Sequence, residues 1–155
     1  MRISARTDYA LRVLVSLAAD ASRPLTCEGI ADQQQIPYRF LKSVVRDLRL
    51  AGLVRSQRGC EGGYWIGREP AAISLADVVA AVDGELFTVN GEVPDPEAYP
   101  APADRVELLW RGLRGYLARV FAEVTLADLA DEAEPGAAAA ALFAAAAGPQ
   151  QPAAV

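Results

Sequence analysis

The amino-acid sequence predicts a mainly α-helical protein with a small β-hairpin wing: a winged helix-turn-helix followed by a long C-terminal dimerisation helix. Three features support this fold class. Residues 37–50 form an amphipathic run with a basic face, residues 53–67 contain two extended pieces around a glycine-rich turn, and residues 103–124 carry a continuous apolar seam. A 3.6-residue apolar period predicts helix, and a glycine-rich turn between extended pieces predicts a hairpin.

The overall charge conceals two unlike halves. The 155-residue chain has a formal net charge of −5. Residues 1–70 hold 11 Lys and Arg against 7 Asp and Glu, a net of +4, whereas residues 71–155 hold 4 against 13, a net of −9. The N-terminal half can therefore meet a polyanion although the whole chain is acidic.

The residue types present exclude most catalytic chemistry. The chain has no histidine and only two cysteines, Cys27 and Cys60, which form no CxxC pair. It therefore lacks the usual general base, the Ser-His and Cys-His nucleophile pairs, and every His-containing metal site. We expect no enzyme, no disulfide framework, and a reducing, cytoplasmic location. Asp8 and Arg12 interrupt the N-terminal apolar run, so neither a signal peptide nor a membrane span is expected.

Two helices are predicted ahead of the basic run. Residues 4–19 carry an apolar stripe at helical spacing, and Thr26 can cap a short second helix. Pro37 suits the first turn of the third helix, and Ala51-Gly52 ends it, since glycine adopts the left-handed cap at little steric cost. The apolar face of this third helix is predicted at Phe40, Leu41, Val44, Val45, Leu48 and Leu50.

The third helix and the wing together predict contact with double-stranded DNA. A helix about 10–12 Å across fits the major groove, and the hairpin can lie along the neighbouring backbone or minor groove. Arg39 is the expected guanine contact, and Arg58 can enter the minor groove. Arg46 and Arg49 lie further along the helix and suit phosphate contact or simple solvation. The candidate DNA contacts are Arg2, Ser4, Thr26, Tyr38, Arg39, Lys42, Arg46, Ser56, Gln57, Arg58 and Gly59. Some winged helices bind proteins instead, so a protein-interaction module with an acidic partner is the alternative.

The wing also contains Cys60, for which two roles are considered. Oxidation there would place a bulky or charged group against DNA, so Cys60 is a candidate redox residue, with a tolerated surface cysteine as the simpler alternative. Cys27 lies at a helix start, which favours a thiolate, but a small residue tolerated in the first turn is the simpler account. Tyr64 is expected to pack under the wing, and Trp65 to point to its other side.

The acidic half is predicted to carry the dimer contact. Ser74 caps a helix that ends near Gly84, and a proline-rich acidic loop leads to the long helix. A single small domain cannot cover the whole seam of that helix, so we expect it to pack against its twin rather than fold back on its own domain. The predicted dimerisation residues are Val106, Leu109, Trp110, Leu113, Leu117, Val120, Phe121 and Val124.

These boundaries divide the chain into three segments. Residues 1–68 form the DNA-binding domain, and residues 69–133 form a linker helix, the loop and the dimerisation helix, which Thr125 follows as the cap of a short helix. Residues 134–155 are rich in alanine and proline and lack a reason to pack. They are predicted to be a disordered tail.

The combined pieces resemble the Rrf-two-type family of bacterial transcriptional regulators. The matching runs are MRIS and DYALRVLVSLA, IPYRFLKSVVRDLRLAGLV, RGCEGGYWI, ISLADVVAAVDG and LLWRGLRGYLARVFAEVTLADL, in the family's order. The resemblance implies a homodimer that binds a partly palindromic operator. Our leading hypothesis is that this dimer is a repressor, with an unidentified small-molecule effector that binds between the wing domain and the dimer helix.

The family's metal cofactor is not expected here. Many members carry three closely spaced cysteines before the long helix, where they hold an iron–sulfur cluster, and this interval of the chain contains none. Asp8 occupies the position from which a partner-chain carboxylate completes the cluster in one branch. One carboxylate cannot replace several thiolates, so we expect no iron–sulfur cluster and no metal site.

Overall fold

The computed structural model describes residues 3–59, 62–89, 91–93, 99–130 and 135–147. Helices and two short strands follow one another along the chain, and a 3₁₀ turn at Pro70–Ala72 joins the wing to the C-terminal half. The elements are α1 (Ala5–Ala19), α2 (Cys27–Gln34), α3 (Tyr38–Leu50), β1 (Val54–Gln57), β2 (Gly63–Ile66), α4 (Leu75–Val82), α5 (Asp104–Glu123), α6 (Leu126–Ala130) and α7 (Ala137–Ala147). This order confirms the predicted fold class.

Helix α1 lies at the centre of the core, where it contacts α2, α3, α4 and α6. Its Val13 and Leu14 are fully buried, and they pack in one cluster with Leu41 and Leu48 of α3 and with Ile30 of α2. Non-directional burial of these aliphatic side chains is the main favourable contribution to folding. Helix α3 is therefore held on the core by one face while its other face stays in solvent.

The helix starts follow the predicted capping residues. The hydroxyl of Thr26 accepts a hydrogen bond from the amide of Gly29 at 3.0 Å, and Ser74 forms a reciprocal capping box with Asp77. These bonds satisfy amides that have no partner inside the helix. Gln35, between α2 and α3, adopts a left-handed conformation with φ of 54°, which turns the chain so that α3 crosses the core.

The wing is a two-stranded antiparallel sheet. Val54 pairs with Ile66 and Gln57 with Gly63. Two further backbone hydrogen bonds join Leu25 to Tyr64, at 3.0 and 2.8 Å, and fasten the wing to the segment that precedes α2. A Cβ atom at Gly63 would lie 2.8 Å from the carbonyl oxygen of Leu25, so glycine is required for this close approach.

Two apolar positions of α3 differ from the prediction. Phe40 and Leu50 are 50% and 69% exposed, whereas Leu41, Val44, Val45 and Leu48 are buried as predicted. Phe40 precedes the buried position 41 and lies beside the inward stripe rather than on it. A helix shows only about a 100° face to the core, so the other two apolar residues fall outside it.

Helix α5 separates its apolar residues into two faces. Val106, Leu109 and Leu113 are exposed, as a dimerisation surface requires, and the unpredicted Tyr116 continues this stripe. The predicted seam residues Trp110, Leu117, Val120 and Phe121 are only half-buried. Assigning Val124 to the dimer seam was wrong: α5 ends at Glu123, and Val124 is buried inside its own chain next to the start of α6.

The C-terminal segment is also more ordered than predicted. Instead of a disordered tail from residue 134, the described residues 137–147 form helix α7, which contacts α5. Its Ala139 is buried, and the amide of Gly136 donates to the carboxylate of Asp128 at 2.7 Å. Among the described residues, no helix has the length and apolar character needed to cross a membrane.

Candidate nucleic-acid interface

An open groove of about 520 Å³ separates α3 from the wing. Helix α3 contributes three cationic side chains to it and the wing contributes Arg58, and none of the described residues that line it is acidic. This described lining is Lys42, Ser43, Arg46, Arg49, Ser56, Arg58 and Tyr64. Such a cluster of like charges on one face matches the phosphate backbone of a nucleic acid.

The N-terminal turn of α3 presents the predicted base-reading residues to solvent. Tyr38, Arg39 and Lys42 are all exposed. The Lys42 ammonium lies 5.6 Å from the centre of the Tyr38 ring, and the Arg39 guanidinium lies 5.2 Å from the centre of the Phe40 ring. A cation above an aromatic face is attracted to it, so these rings restrain the two cations without neutralising them.

One acid borders this turn. Hydrogen bonding to Tyr38 lowers the pKa of Glu28, and the same interaction raises the pKa of the Tyr38 phenol. Glu28 lies on α2, which runs beside the start of α3. Contact of the Tyr38 hydroxyl with a base would therefore compete with its interaction with Glu28.

The wing orients a predicted phosphate donor. The indole nitrogen of Trp65 donates to the side-chain oxygen of Gln57 at 2.8 Å. This bond fixes the amide so that its NH₂ group points away from Trp65 and stays able to donate. Ser56 lies in the groove, while Arg58 and Gly59 are exposed at the tip, where Gly59 has a φ of 121° that only glycine adopts readily.

Two other predicted DNA contacts, Ser4 and Thr26, use their hydroxyls for bonds within the protein. The Ser4 hydroxyl accepts from the Thr7 amide and donates to Asp83, and the Thr26 hydroxyl is the cap of α2, so both are already engaged within the protein. Arg2 and Cys60 lie outside the described residues. Thus Ser4 is better explained as a structural residue than as a backbone contact.

Two further residues line the groove, Arg49 and Tyr64. Arg49 lies near the end of α3, and its place in the lining leaves phosphate contact, one of its two predicted roles, available to it. Tyr64 packs against the core as predicted but also borders the groove, and burial raises the pKa of its phenol. Basic residues recur at every third or fourth position of α3, and this spacing indicates that Arg49 shares a helix face with the other cations.

Cys27 is a buried core residue. Burial raises the pKa of its thiol, and this outweighs the smaller lowering from a hydrogen bond with Tyr64. The thiolate that a helix start would favour is therefore not the form expected at neutral pH.

The residues do not fit a thiolate-held iron site. One of the chain's two cysteines is buried in the core and the other belongs to the wing turn, so the interval between α4 and α5 offers no thiolate. Among the described residues, no group of three His, Cys, Asp or Glu side chains is arranged to hold a metal ion. Clusters are normally held by several thiolates, which this interval cannot supply.

A basic helix at the protein surface, followed by a basic two-stranded wing, defines a winged helix-turn-helix DNA-binding protein. Comparison with known proteins identifies the family of DNA-binding proteins. Residues 3–132 match the Rrf2 family, described as an iron-dependent transcriptional regulator. The chain belongs to this family of DNA-binding transcriptional regulators, which is not enzymatic.

Individual relatives agree with this assignment. The chain is 41% identical over 140 residues to a protein of Mycobacterium tuberculosis named as an HTH-type transcriptional regulator, covering 87% of this chain and 84% of that protein. It is 36% identical over 131 residues to the HTH-type transcriptional regulator CymR of Bacillus subtilis, covering 84% and 90%. The solved structure of B. subtilis CymR superposes with a TM-score of 0.70 at 30% identity, over 86% of this chain and 99% of that one.

Proposed function

We propose that the protein is a homodimeric, sequence-specific repressor that binds a partly palindromic operator and carries no iron–sulfur cluster. The groove between α3 and the wing is the observation that carries this proposal, because four of the seven described residues that line it are basic and none of those seven is acidic. Two copies related by a two-fold axis would present their α3 helices to successive major grooves, about 34–36 Å apart.

The exposed stripe of α5 supports the dimer. Val106, Leu109, Leu113 and Tyr116 are spaced by three, four and three residues, the spacing at which two helices pack along a common seam. All four are at least 39% exposed in the subunit. A contiguous apolar stripe of this kind is normally covered by another surface, and a second α5 is the surface with the matching pattern.

The donor chemistry of the α4–α5 interval supports the absence of a cluster. Anaerobically purified protein should be colourless in the visible range and should contain no stoichiometric iron or acid-labile sulfide. A brown preparation with iron and sulfide would overturn this part of the proposal.

Repression requires only that the dimer occupies the operator, and transcription in vitro from the bound promoter should therefore fall as the protein is added.

Binding itself is tested by anisotropy titration of the operator and of a shuffled duplex at several salt concentrations. The operator can be obtained by selecting protected genomic fragments. A dimer that contacts about 6–10 phosphates should lose about 10³–10⁵ in affinity between roughly 50 and 200 mM salt, and it should prefer the operator. Equal binding to both duplexes would favour a basic surface with a protein partner instead.

Two arginines on the same helix provide a matched pair of variants. Arg39→Ala should relax preference for the operator, because a guanidinium at the exposed N-terminal turn of α3 can pair with a guanine edge. Arg49→Ala should weaken both duplexes alike and reduce the salt slope by about 1, because Arg49 faces the groove as a phosphate contact. If Arg39→Ala weakened both duplexes alike, Arg39 would be a phosphate contact and base reading would lie elsewhere.

A further inference from the structure

The guanidinium of Arg6 joins three helices. It belongs to α1, donates to the Ser43 hydroxyl at 3.1 Å and to the Asp47 carboxylate on α3, and donates to the carbonyl oxygen of Val82 at the end of α4, at 3.3 Å. The side chains of Arg6 and Asp47 are 41% and 27% exposed, so this ion pair is partly shielded from water. An arginine whose donors are shared between two neighbouring helices fixes their relative orientation.

A second set of bonds holds the end of α4 in the same place. The carboxylate of Asp83 accepts from the hydroxyl of Thr7, at 2.6 Å, and from that of Ser4. Two residues further on, Glu85 lies 3.3 Å from Arg114 of α5. We give the name Arg6 network to the residues whose side chains make these bonds among α1, α3 and the end of α4: Ser4, Arg6, Thr7, Ser43, Asp47 and Asp83. It links the end of α4, and the segment that leads to α5, to the reading helix.

Within the described part of the chain, helix α3 has few directional restraints besides the bonds of Arg6 and the interaction of Tyr38 with Glu28. Its buried face is aliphatic, and its N-cap residue, Pro37, makes no side-chain capping bond. Apolar burial is non-directional, so it holds α3 on the core but constrains small rotations and shifts of the helix only weakly. Ser43 lines the groove between α3 and the wing and lies one helical turn from Arg39 and from Arg46. The bonds of Arg6 therefore restrain the part of α3 where a small shift would misplace the side chains that contact DNA bases.

We propose that Arg6 is a positioning residue for DNA reading: it orients α3 against the end of α4 and does not itself contact DNA. The inference rests on the proposed role of α3 as the reading helix. The inward bonds of Arg6 to Ser43, Asp47 and Val82 occupy its guanidinium within the protein. Misplacement by about 1 Å weakens oriented hydrogen bonds to base edges strongly but affects flexible phosphate contacts little.

The test measures operator and shuffled-duplex affinities of the full-length variants Arg6→Gln and Arg6→Lys. Arg12→Gln is the matched control, since Arg12 is also on α1 but donates to Gln34 of α2 instead of α3. For Arg6→Gln we expect the preference for the operator to fall about tenfold, shuffled-duplex affinity to change less than about threefold, and the salt slope to stay constant. Lysine cannot reproduce the fork, so Arg6→Lys should lose most of the preference as well. The control should keep it.

Two outcomes would overturn the proposal. A uniform loss with a salt slope smaller by about 1 would make Arg6 a phosphate contact. A lowered unfolding midpoint with an unchanged operator preference would make it merely structural. If Arg6→Gln does not fold, Asp47→Asn removes the same ion pair with less change of shape and should lower operator preference in the same way. An unchanged preference for that variant would also refute the proposal.

The failures of the two proposals are distinguishable. If wild-type protein shows no operator preference, or if Arg39→Ala does not relax it, the reading role of α3 fails. If Arg39→Ala relaxes the preference but neither Arg6→Gln nor Asp47→Asn does, only the positioning role of Arg6 fails.

Discussion

Replacing Leu109 by alanine should weaken the association of two chains without disturbing the fold of either. Leu109 is 59% exposed in the subunit, so more than half of its side chain is available to a partner. Full burial of a leucine contributes about 1.5–3 kcal/mol, which leaves roughly 1–1.5 kcal/mol per copy for the interface. Because a two-fold interface contains the residue twice, the loss is about 2–3 kcal/mol per dimer.

This free energy corresponds to a dissociation constant of the dimer raised about 30- to 150-fold, at about 1.4 kcal/mol for each factor of ten. Sedimentation equilibrium over a concentration series measures it directly. Leu142→Ala is the matched control, since Leu142 is 43% exposed but lies on α7 instead of on the α5 stripe. A Leu109→Ala protein with the wild-type dissociation constant, or a larger effect in the control, would refute the assignment of the α5 stripe to the dimer.

Two further predictions concern stability and reactivity. Hydrogen bonds from Thr125 and Gly136 lower the pKa of Asp128, so its stabilising contribution is fully present above the ordinary aspartate pKa and is lost as pH falls through the lowered value. In urea unfolding, Asp128→Ala should therefore cost about 1 kcal/mol at neutral pH, a difference that shrinks in acid; a difference independent of pH would contradict this. Burial raises the pKa of Cys27, so in a Cys60→Ser background its thiol should react with an aromatic disulfide at least about tenfold more slowly in native protein than in urea. Equal rates would contradict its place in the core.

The N-terminal half could be predicted well because each local pattern is satisfied within one subunit. The apolar positions 41, 44, 45 and 48 are buried, and the cap at Thr26 begins its helix. Helix caps and turns depend on residues close in sequence, so they can be predicted without knowledge of the fold. The basic face of α3 needed only the helical period.

The acidic half was harder because its pattern serves two surfaces. On α5, Leu109 is exposed while the acid Glu107, two residues earlier, is buried, the reverse of what hydrophobicity alone predicts. A seam that faces both its own subunit and a second surface cannot be divided by periodicity. Helix α7 was missed because a run of alanines shows no amphipathic signal, although Ala139 packs by being small.

The Arg6 network could not be predicted at all. Its members lie at positions 4–7, 43–47 and 83, and no local motif relates them. They meet only because α1, α3 and α4 pack around one core. Reading side chains can thus be identified from sequence more readily than the residues that orient them.

Hydroxyl-radical footprinting of the operator shows whether a dimer places both α3 helices and both wings on the duplex, since it maps which parts of the duplex the protein covers. Two subunits that each insert α3 into a major groove and lay a wing beside it should protect two segments centred about one helical turn, roughly 10 base pairs, apart. The protection should be related by two-fold symmetry and should disappear at both segments together when the α5 stripe is disrupted. A single protected segment, or uniform protection along the duplex, would contradict the account.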